Sequence, residues 1–189
     1  SSAFVCCCLN FGAMPSVTTP AIILHVMAYG ETSKIVRLLT RDLGLASGIA
    51  RGARRAKSRT GPRLDLFMSG TATLFVKPNR DLHPLTQFEA VATHDRLATD
   101  VGRFAAASAL AELALKCAPA DPHPEVFDAA SAGFAALEHS EEDSTDTVAL
   151  LACWGLVVSL GFAPTLDHCV VCDQPIEGRV AFSPAQGGA

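Results

Sequence analysis

The chain has 189 residues, 49% of them hydrophobic, and a formal net charge of −4. That is enough apolar material for one large domain or two small ones, which excludes disorder throughout, and the absence of any run of about 18 apolar residues excludes a membrane-spanning helix. The net charge conceals a division: residues 34–80 hold eleven cations against Asp42 and Asp65, whereas residues 91–189 hold four against fourteen carboxylates, so a pI near 5.8 hides a basic module joined to an acidic one, a distribution that suits a polyanionic partner.

In chain order, residues 1–13 lack a cationic n-region and an evident cleavage site, which makes a secretory signal a poor reading. Met14-Pro15 reads as a natural start, so residues 1–13 are expected to be an upstream extension with no role in the fold, and residues 1–19 as a whole a non-native or disordered segment before the first domain. Residues 21–94 then read as strands. Apolar, β-branched segments at 21–29, 34–40, 45–50, 67–76 and 85–92 are separated by turn-forming clusters at 30–33, 42–44 and 77–81. Five short strands with Gly-rich turns in about 75 residues fit a small barrel such as the oligonucleotide-binding (OB) fold. An SH3-like barrel fits the spacing almost as well.

Between the third and fourth strands lies the most cationic stretch, residues 51–63, with Arg51, Arg54, Arg55, Lys57, Arg59 and Arg63 and no acidic residue. Such a stretch cannot be core and must face water or something negative. Arginine forks match phosphate oxygens, and Gly52 and Gly61 allow the backbone to approach a ligand closely. Arg37 and Arg41, four apart on a strand, project from one face and extend the patch, while Lys77 and Arg80 flank a turn that frames it. The candidate nucleic-acid-binding set is therefore Arg37, Arg51, Arg54, Arg55, Lys57, Arg59, Arg63, Lys77 and Arg80; the competing reading is a solvated loop without a partner. Tyr29, Phe67, Phe75 and Phe88 are the aromatic candidates in the barrel, and some must be core. That scarcity favours contact with phosphate backbone over base readout, hence weak sequence preference and strong salt dependence.

After His94 the apolar period becomes helical. Leu97, Val101, Phe104, Ser108, Ala111 and Leu115 share one face, and Pro119 stops that helix. Val126 or Phe127, Ala130, Phe134 and Leu137 form a second stripe. Residues 138–146 read as an acidic linker, and Val148, Leu151, Trp154 and Val158 make a third stripe, closed by Gly161 and Pro164. Trp154 and the phenylalanines are expected in the core. So are Cys117 and Cys153, as small buried hydrophobes.

The seven cysteines suggest no disulfide framework, which points to a reducing, cytoplasmic compartment. Cys169-Val-Val-Cys172 has the turn spacing that offers two thiolates to one tetrahedral Zn²⁺. A ribbon site needs a second pair about 15–20 residues further on. The readings are a metal ribbon cut short, a pair of ordinary reduced cysteines, or a redox pair, the last without the βαβ context it requires. His168, adjacent in sequence, is a poor co-ligand. The histidines are scattered, no nucleophile elbow occurs, and the Gly52-Ala-Arg-Arg segment lacks the terminal Gly-Lys-Ser/Thr of a phosphate loop. The chain reads as a binder and not an enzyme.

Taken together, Tyr29-Gly-Glu31-Thr-Ser33-Lys-Ile35-Val36-Arg-Leu38-Leu-Thr40, Gly44, Gly52-Ala53-Arg54-Arg55 with Lys57-Ser58-Arg59, Leu74-Phe75, Arg80-Asp81-Leu82 and Leu160-Gly161-Phe162-Ala-Pro164-Thr-Leu166-Asp-His-Cys169-Val-Val-Cys172 resemble the bacterial RecO family of DNA-repair proteins. The resemblance implies an α+β protein: after the extension at 1–19, which is foreign to the family pattern, a five-stranded OB-fold nucleic-acid-binding domain at 20–93, a helical domain at 94–166 and the start of a four-cysteine zinc ribbon at 167–189, with Cys169 and Cys172 as metal ligands. It implies a recombination mediator that binds single- and double-stranded DNA, anneals complementary strands, engages RecR and the tail of the single-strand-binding protein, and helps to load RecA, without a membrane and at the nucleoid. The family pattern also leads us to expect that the sequence stops before the second cysteine pair and the closing helices. The rival reading is an RNA- or ribosome-associated barrel module with no recombination role.

Overall fold

A computed structural model describes residues 16–53, 64–76 and 80–189. Among the described residues five strands, β1 (Ser16–Tyr29), β2 (Ser33–Thr40), β3 (Gly44–Ala50), β4 (Ser69–Phe75) and β5 (Leu82–Ala92), precede the helices α1 (Asp95–Thr99), α2 (Val101–Cys117), α3 (Pro124–His139) and α4 (Thr145–Ser159), with a 3₁₀ turn at Glu142–Ser144 before α4. The strands close into a barrel in the order β1-β2-β3-β5-β4. Neighbours run antiparallel except β3 and β5, which pair in parallel through Ser47–Leu82, Gly48–His83 and Ile49–Pro84. That arrangement is the OB fold and removes the SH3-like alternative.

β1 closes the barrel because it is long enough to pair twice, with β4 through residues 16–22 and with β2 through residues 21–29, so that residues 16–19, expected to lie in the extension, are held in the barrel by the β4 ladder. Its register with β2 slips between Ile23 and His25, a bulge that bends the strand around. Alternation then sorts side chains into two cores. Ala21 and Ile23 point inward with Val36, Leu38, Leu74 and Phe88, while Ile22 and Leu24 point outward, join Leu39, and meet the helices at Leu110, Phe127 and Phe134. Hence β1 reads as a continuous apolar run: it is covered on both faces.

Phe67 locks the two cores together. Its amide donates to the Ile23 carbonyl (2.8 Å), and its buried ring lies 5.6 Å from that of Phe134 and 5.7 Å from that of Phe104. Further ties hold the same seam. His94 Nδ1 is 2.7 Å from Glu138 Oε2 on α3, and its Nε2 is 3.1 Å from Ser69 Oγ on β4. The Leu45 amide donates to the Pro119 carbonyl (2.9 Å). Gly44, at φ +66°, passes so close to the loop between α2 and α3 that a Cβ there would collide with the Asp121 carbonyl oxygen and lie 2.7 Å from that of Pro119.

The helical half departs from its sequence reading in three places. The stripe from Leu97 to Leu115 is not one helix, because Asp100 is extended and its carboxylate accepts a hydrogen bond from the Arg103 amide (2.7 Å) as the N-cap of α2. The axis therefore changes at residue 100. Val101 and Phe104 turn outward, and Ala107, Leu110, Ala111 and Ala114 take the core face. The second stripe behaves as expected: Val126, Phe127, Ala130, Phe134 and Leu137 are all buried. In α4 Val148 packs against the helical core, but the rest of the expected stripe faces solvent, with Leu151 65%, Trp154 45% and Val158 46% exposed. Ala149, Ala152, Cys153 and Leu156 instead meet α2 and α3, since small residues let the helices approach closely. Cys117, expected to be buried, is exposed at the end of α2.

Candidate nucleic-acid interface

β2 and β3 present the face to which the basic residues belong. Arg37 sits opposite Ser47 of β3 and beside His25 of β1, a position fixed by the ladder on both sides. It is half-buried, and its Nε is enclosed with no hydrogen-bond partner. A buried guanidinium donor without an acceptor carries a desolvation cost that an incoming anion would relieve. Arg37 lines a cleft of about 590 Å³ between the barrel and the loop joining α2 to α3, together with Ser47, His83, Arg80, Asp81 and Asp121.

A second cleft, of about 540 Å³, adjoins the first. Tyr29 and Ser33 border it at the β1–β2 turn, Ile49 and Pro84 line it, and Arg51, Arg80 and Asp81 also face it. Arg80 and Asp81 belong to both clefts. Three cations from separate parts of the chain, Arg37 on β2, Arg51 after β3 and Arg80 before β5, are therefore gathered on one side of the barrel.

Of the other sequence-predicted contacts, Arg54, Arg55, Lys57, Arg59, Arg63 and Lys77 lie outside the described residues, as does the segment 1–15. The ends of the β3–β4 connection are described. It leaves β3 at Arg51 and returns at Leu64, whose carbonyl accepts a hydrogen bond from Lys34 Nζ (2.8 Å), with Asp65 3.8 Å from the same ammonium. Lys34 pairs in register with Ala50. Both ends of the cationic connection thus sit at one edge of the β2–β3 face.

Arg41 does not extend this patch. β2 ends at Thr40, where the Thr40 hydroxyl donates to the Gly44 carbonyl (2.8 Å) and accepts from the Leu43 amide (3.1 Å) to form the turn. From that turn Arg41 reaches the helices and donates through Nε (3.2 Å) and Nη2 (2.9 Å) to the Asp128 carboxylate. The hydrogen bond and charge of Asp128 raise the pKa of Arg41, and the hydrogen bond from Arg41 lowers that of Asp128.

The aromatic candidates separate cleanly. Phe67 and Phe88 are buried and Phe75 is half-buried, whereas Tyr29 is 55% exposed at the rim of the second cleft. Sequence reasoning put Tyr29 among four equals and gave Asp81 no role. The signal available was position: Tyr29 and Asp81 each flank a turn that the barrel topology brings to one edge of β3, something visible only after the β3–β5 pairing is known.

Cys169 and Cys172 lie in a tight turn in which the Asp173 amide donates to the Cys169 carbonyl (2.8 Å). The Cys169 thiol is held below its ordinary pKa, chiefly by hydrogen bonds from the backbone amides of Val171 and Cys172. The neighbouring His168 faces Asp167 (3.2 Å). Among the described residues no group of three or more His, Cys, Asp and Glu side chains is placed to hold a metal, and no helix is long and apolar enough to cross a membrane.

The chain matches the family model described as recombination protein O N terminal over residues 14–94 and that described as recombination protein O C terminal over residues 98–189. It is 32% identical over 179 residues to the DNA repair protein RecO of Synechococcus elongatus, covering 90% of this chain and 66% of that protein. Identity to the DNA repair protein RecO of Anaeromyxobacter dehalogenans is 34% over 178 residues, covering 93% and 69%. To that of Bifidobacterium adolescentis it is 33% over 183 residues, covering 93% and 72%. The chain spans about two thirds of the length of these relatives.

Proposed function

Because this chain belongs to the RecO family, we propose that it is a DNA-binding recombination mediator. It binds single- and double-stranded DNA through the β2–β3 side of the barrel and promotes annealing of complementary strands. With RecR and the single-strand-binding protein it helps to load RecA during gap repair. The observation that carries the DNA-binding part is the convergence of Arg37, Arg51 and Arg80 around two adjoining clefts. The cationic β3–β4 connection is anchored at the edge of the same face.

The physical role is charge management. Each phosphate neutralised by an arginine releases condensed counterions, and two strands so neutralised approach each other with less repulsion. No bond is made or broken on the DNA, so the protein acts as a binder and not an enzyme. The acidic helical half directs the polyanion to the barrel by repelling it elsewhere.

Cys169 and Cys172 supply two ligands of a structural Zn²⁺ in this proposal. Their turn, and the backbone amides that favour the Cys169 thiolate, are the features that support it. The metal would contribute folding energy to this segment and no chemistry. Release of stoichiometric Zn²⁺ on thiol modification supports the assignment, and metal-free protein of unchanged fold and stability counts against it.

The central test is the R37A/R51A/R80A variant, measured by fluorescence anisotropy with single-stranded and duplex oligonucleotides over a range of salt. Loss of three phosphate contacts should weaken binding and flatten the single-strand log–log salt slope by about 2, with the far-UV circular dichroism spectrum unchanged. Unaltered affinity at low salt sinks the reading. Tighter binding to RNA of equal length transfers the face to an RNA-associated role.

A further inference from the structure

We infer that the cleft beside Tyr29 is a seat for one unpaired nucleobase, with Tyr29 as its stacking surface and Asp81 as a hydrogen-bond acceptor for the base edge. The inference rests on the proposed DNA-binding role and sharpens it, because backbone contact alone does not account for how this cleft is lined.

Tyr29 is the last residue of β1 and pairs in register with Ser33. The small serine opposite leaves the tyrosine ring uncovered, and the residue is 55% exposed. Across the cleft, Ile49 and Pro84 are register partners in the parallel β3–β5 pair, and together they give the cleft an apolar lining. Arg51 and Arg80 stand at the same cleft. A phosphate gains from the arginines but nothing from an apolar wall, whereas a nucleotide uses both: a flat heterocycle against ring and aliphatic surface, a charged phosphate on the guanidinium groups. The volume, about 540 Å³, lies in the range of small-molecule pockets, about 300–1,000 Å³.

This separates the two forms of DNA. In a duplex both faces of each base are already stacked and the pairing edges are occupied, so a duplex reaches only the arginines. A single strand can turn a base into the cleft. Asp81 adds a preference among bases, because an ionised carboxylate is acceptor-only. It can take a hydrogen bond from the exocyclic amine of cytosine, adenine or guanine, whereas thymine has no amine and its one donor, the ring N3–H, is flanked by two carbonyl oxygens that repel a carboxylate.

The test uses the intact chain with (dC)15, (dT)15 and a 15-base-pair duplex. Tyr29→Ala should weaken (dC)15 binding by about tenfold, the lower part of the range for loss of one stacked base, and duplex binding by less than about twofold. Tyr29→Phe should bind as the parent does. Asp81→Asn should narrow the ratio of (dC)15 to (dT)15 affinity. Independently of folding effects in the alanine variant, Tyr29→Trp placed in a Trp154→Phe background should show fluorescence quenching with (dC)15 and little with the duplex. Equal losses on single strand and duplex, or an unquenched tryptophan at saturating (dC)15, overturn the inference while leaving DNA binding by the barrel in place. A parent chain that binds none of the three oligonucleotides overturns both readings.

Discussion

The barrel and α4 place their large apolar side chains in opposite ways. In the barrel, strand alternation sends Ile23, Val36, Leu38, Leu74 and Phe88 inward and leaves the β2–β3 side to arginines. In α4, Leu150, Leu151, Trp154 and Val158 are turned to solvent, and alanines, Cys153 and Leu156 make the contacts with α2 and α3. Size and hydrophobicity therefore report burial in the first region and mislead in the second. The lesson is geometric: a strand has two faces and a closed barrel assigns one of them inward, whereas a helix seated through small residues can leave its bulky ones outside.

The largest expected effect tests that contrast directly. Phe134 is fully buried, touches the Phe67 ring and joins the helical core to the barrel. Phe134→Ala should cost about 3–5 kcal/mol in urea unfolding. Trp154→Ala, at a half-exposed site, should cost less than about 1 kcal/mol despite the larger side chain. Equal costs would break the comparison and return Trp154 to the core.

A second expectation concerns the seam between the regions. Gly44→Ala asks an alanine to hold φ at +66° and to fit against two carbonyl oxygens. Backbone strain alone is worth about 1–2 kcal/mol, and the collision adds to it by pushing β3 from the loop at residues 118–123. Gly30→Ala is the control, because Gly30 has φ +58° and, its chain neighbours aside, no described atom lies within 4 Å of the place a methyl group would take. The difference between the two substitutions in thermal unfolding measures how tightly the barrel is clamped to the helices. If both cost the same, the clamp contributes nothing.

How much of this was legible in the sequence follows from the same geometry. The five strands, their order along the chain and the α3 stripe could be read because their periods are regular. Asp100 hid the break between α1 and α2, since an N-cap and a solvent-facing helical residue look alike until the backbone dihedrals are known. Arg37 and Arg41 looked equivalent at a spacing of four; one stays on the strand and the other leaves it at the Thr40 turn for Asp128. The convergence of Arg51 and Arg80 depends on the parallel β3–β5 pairing, a contact between distant segments that no local pattern records.

The smallest effect is also the most specific about the seam. Arg41 and Asp128 are solvent-exposed, so their pair is weak and screened by salt. Its signature is pH. The hydrogen bond from Arg41 depresses the Asp128 pKa below its ordinary 3.8, so the pair's contribution is fully present above that value. It is lost as pH falls through the lower, folded-state pKa. Arg41, whose pKa is raised, stays protonated across this window and adds no pH dependence of its own. Asp128→Asn should therefore melt below the parent at pH 7 and low salt, by no more than about 2 °C, with the gap closing under acid and under high salt. A gap that survives both would mean that Asp128 holds the helices by packing and that the barrel–helix seam owes nothing to this charge pair.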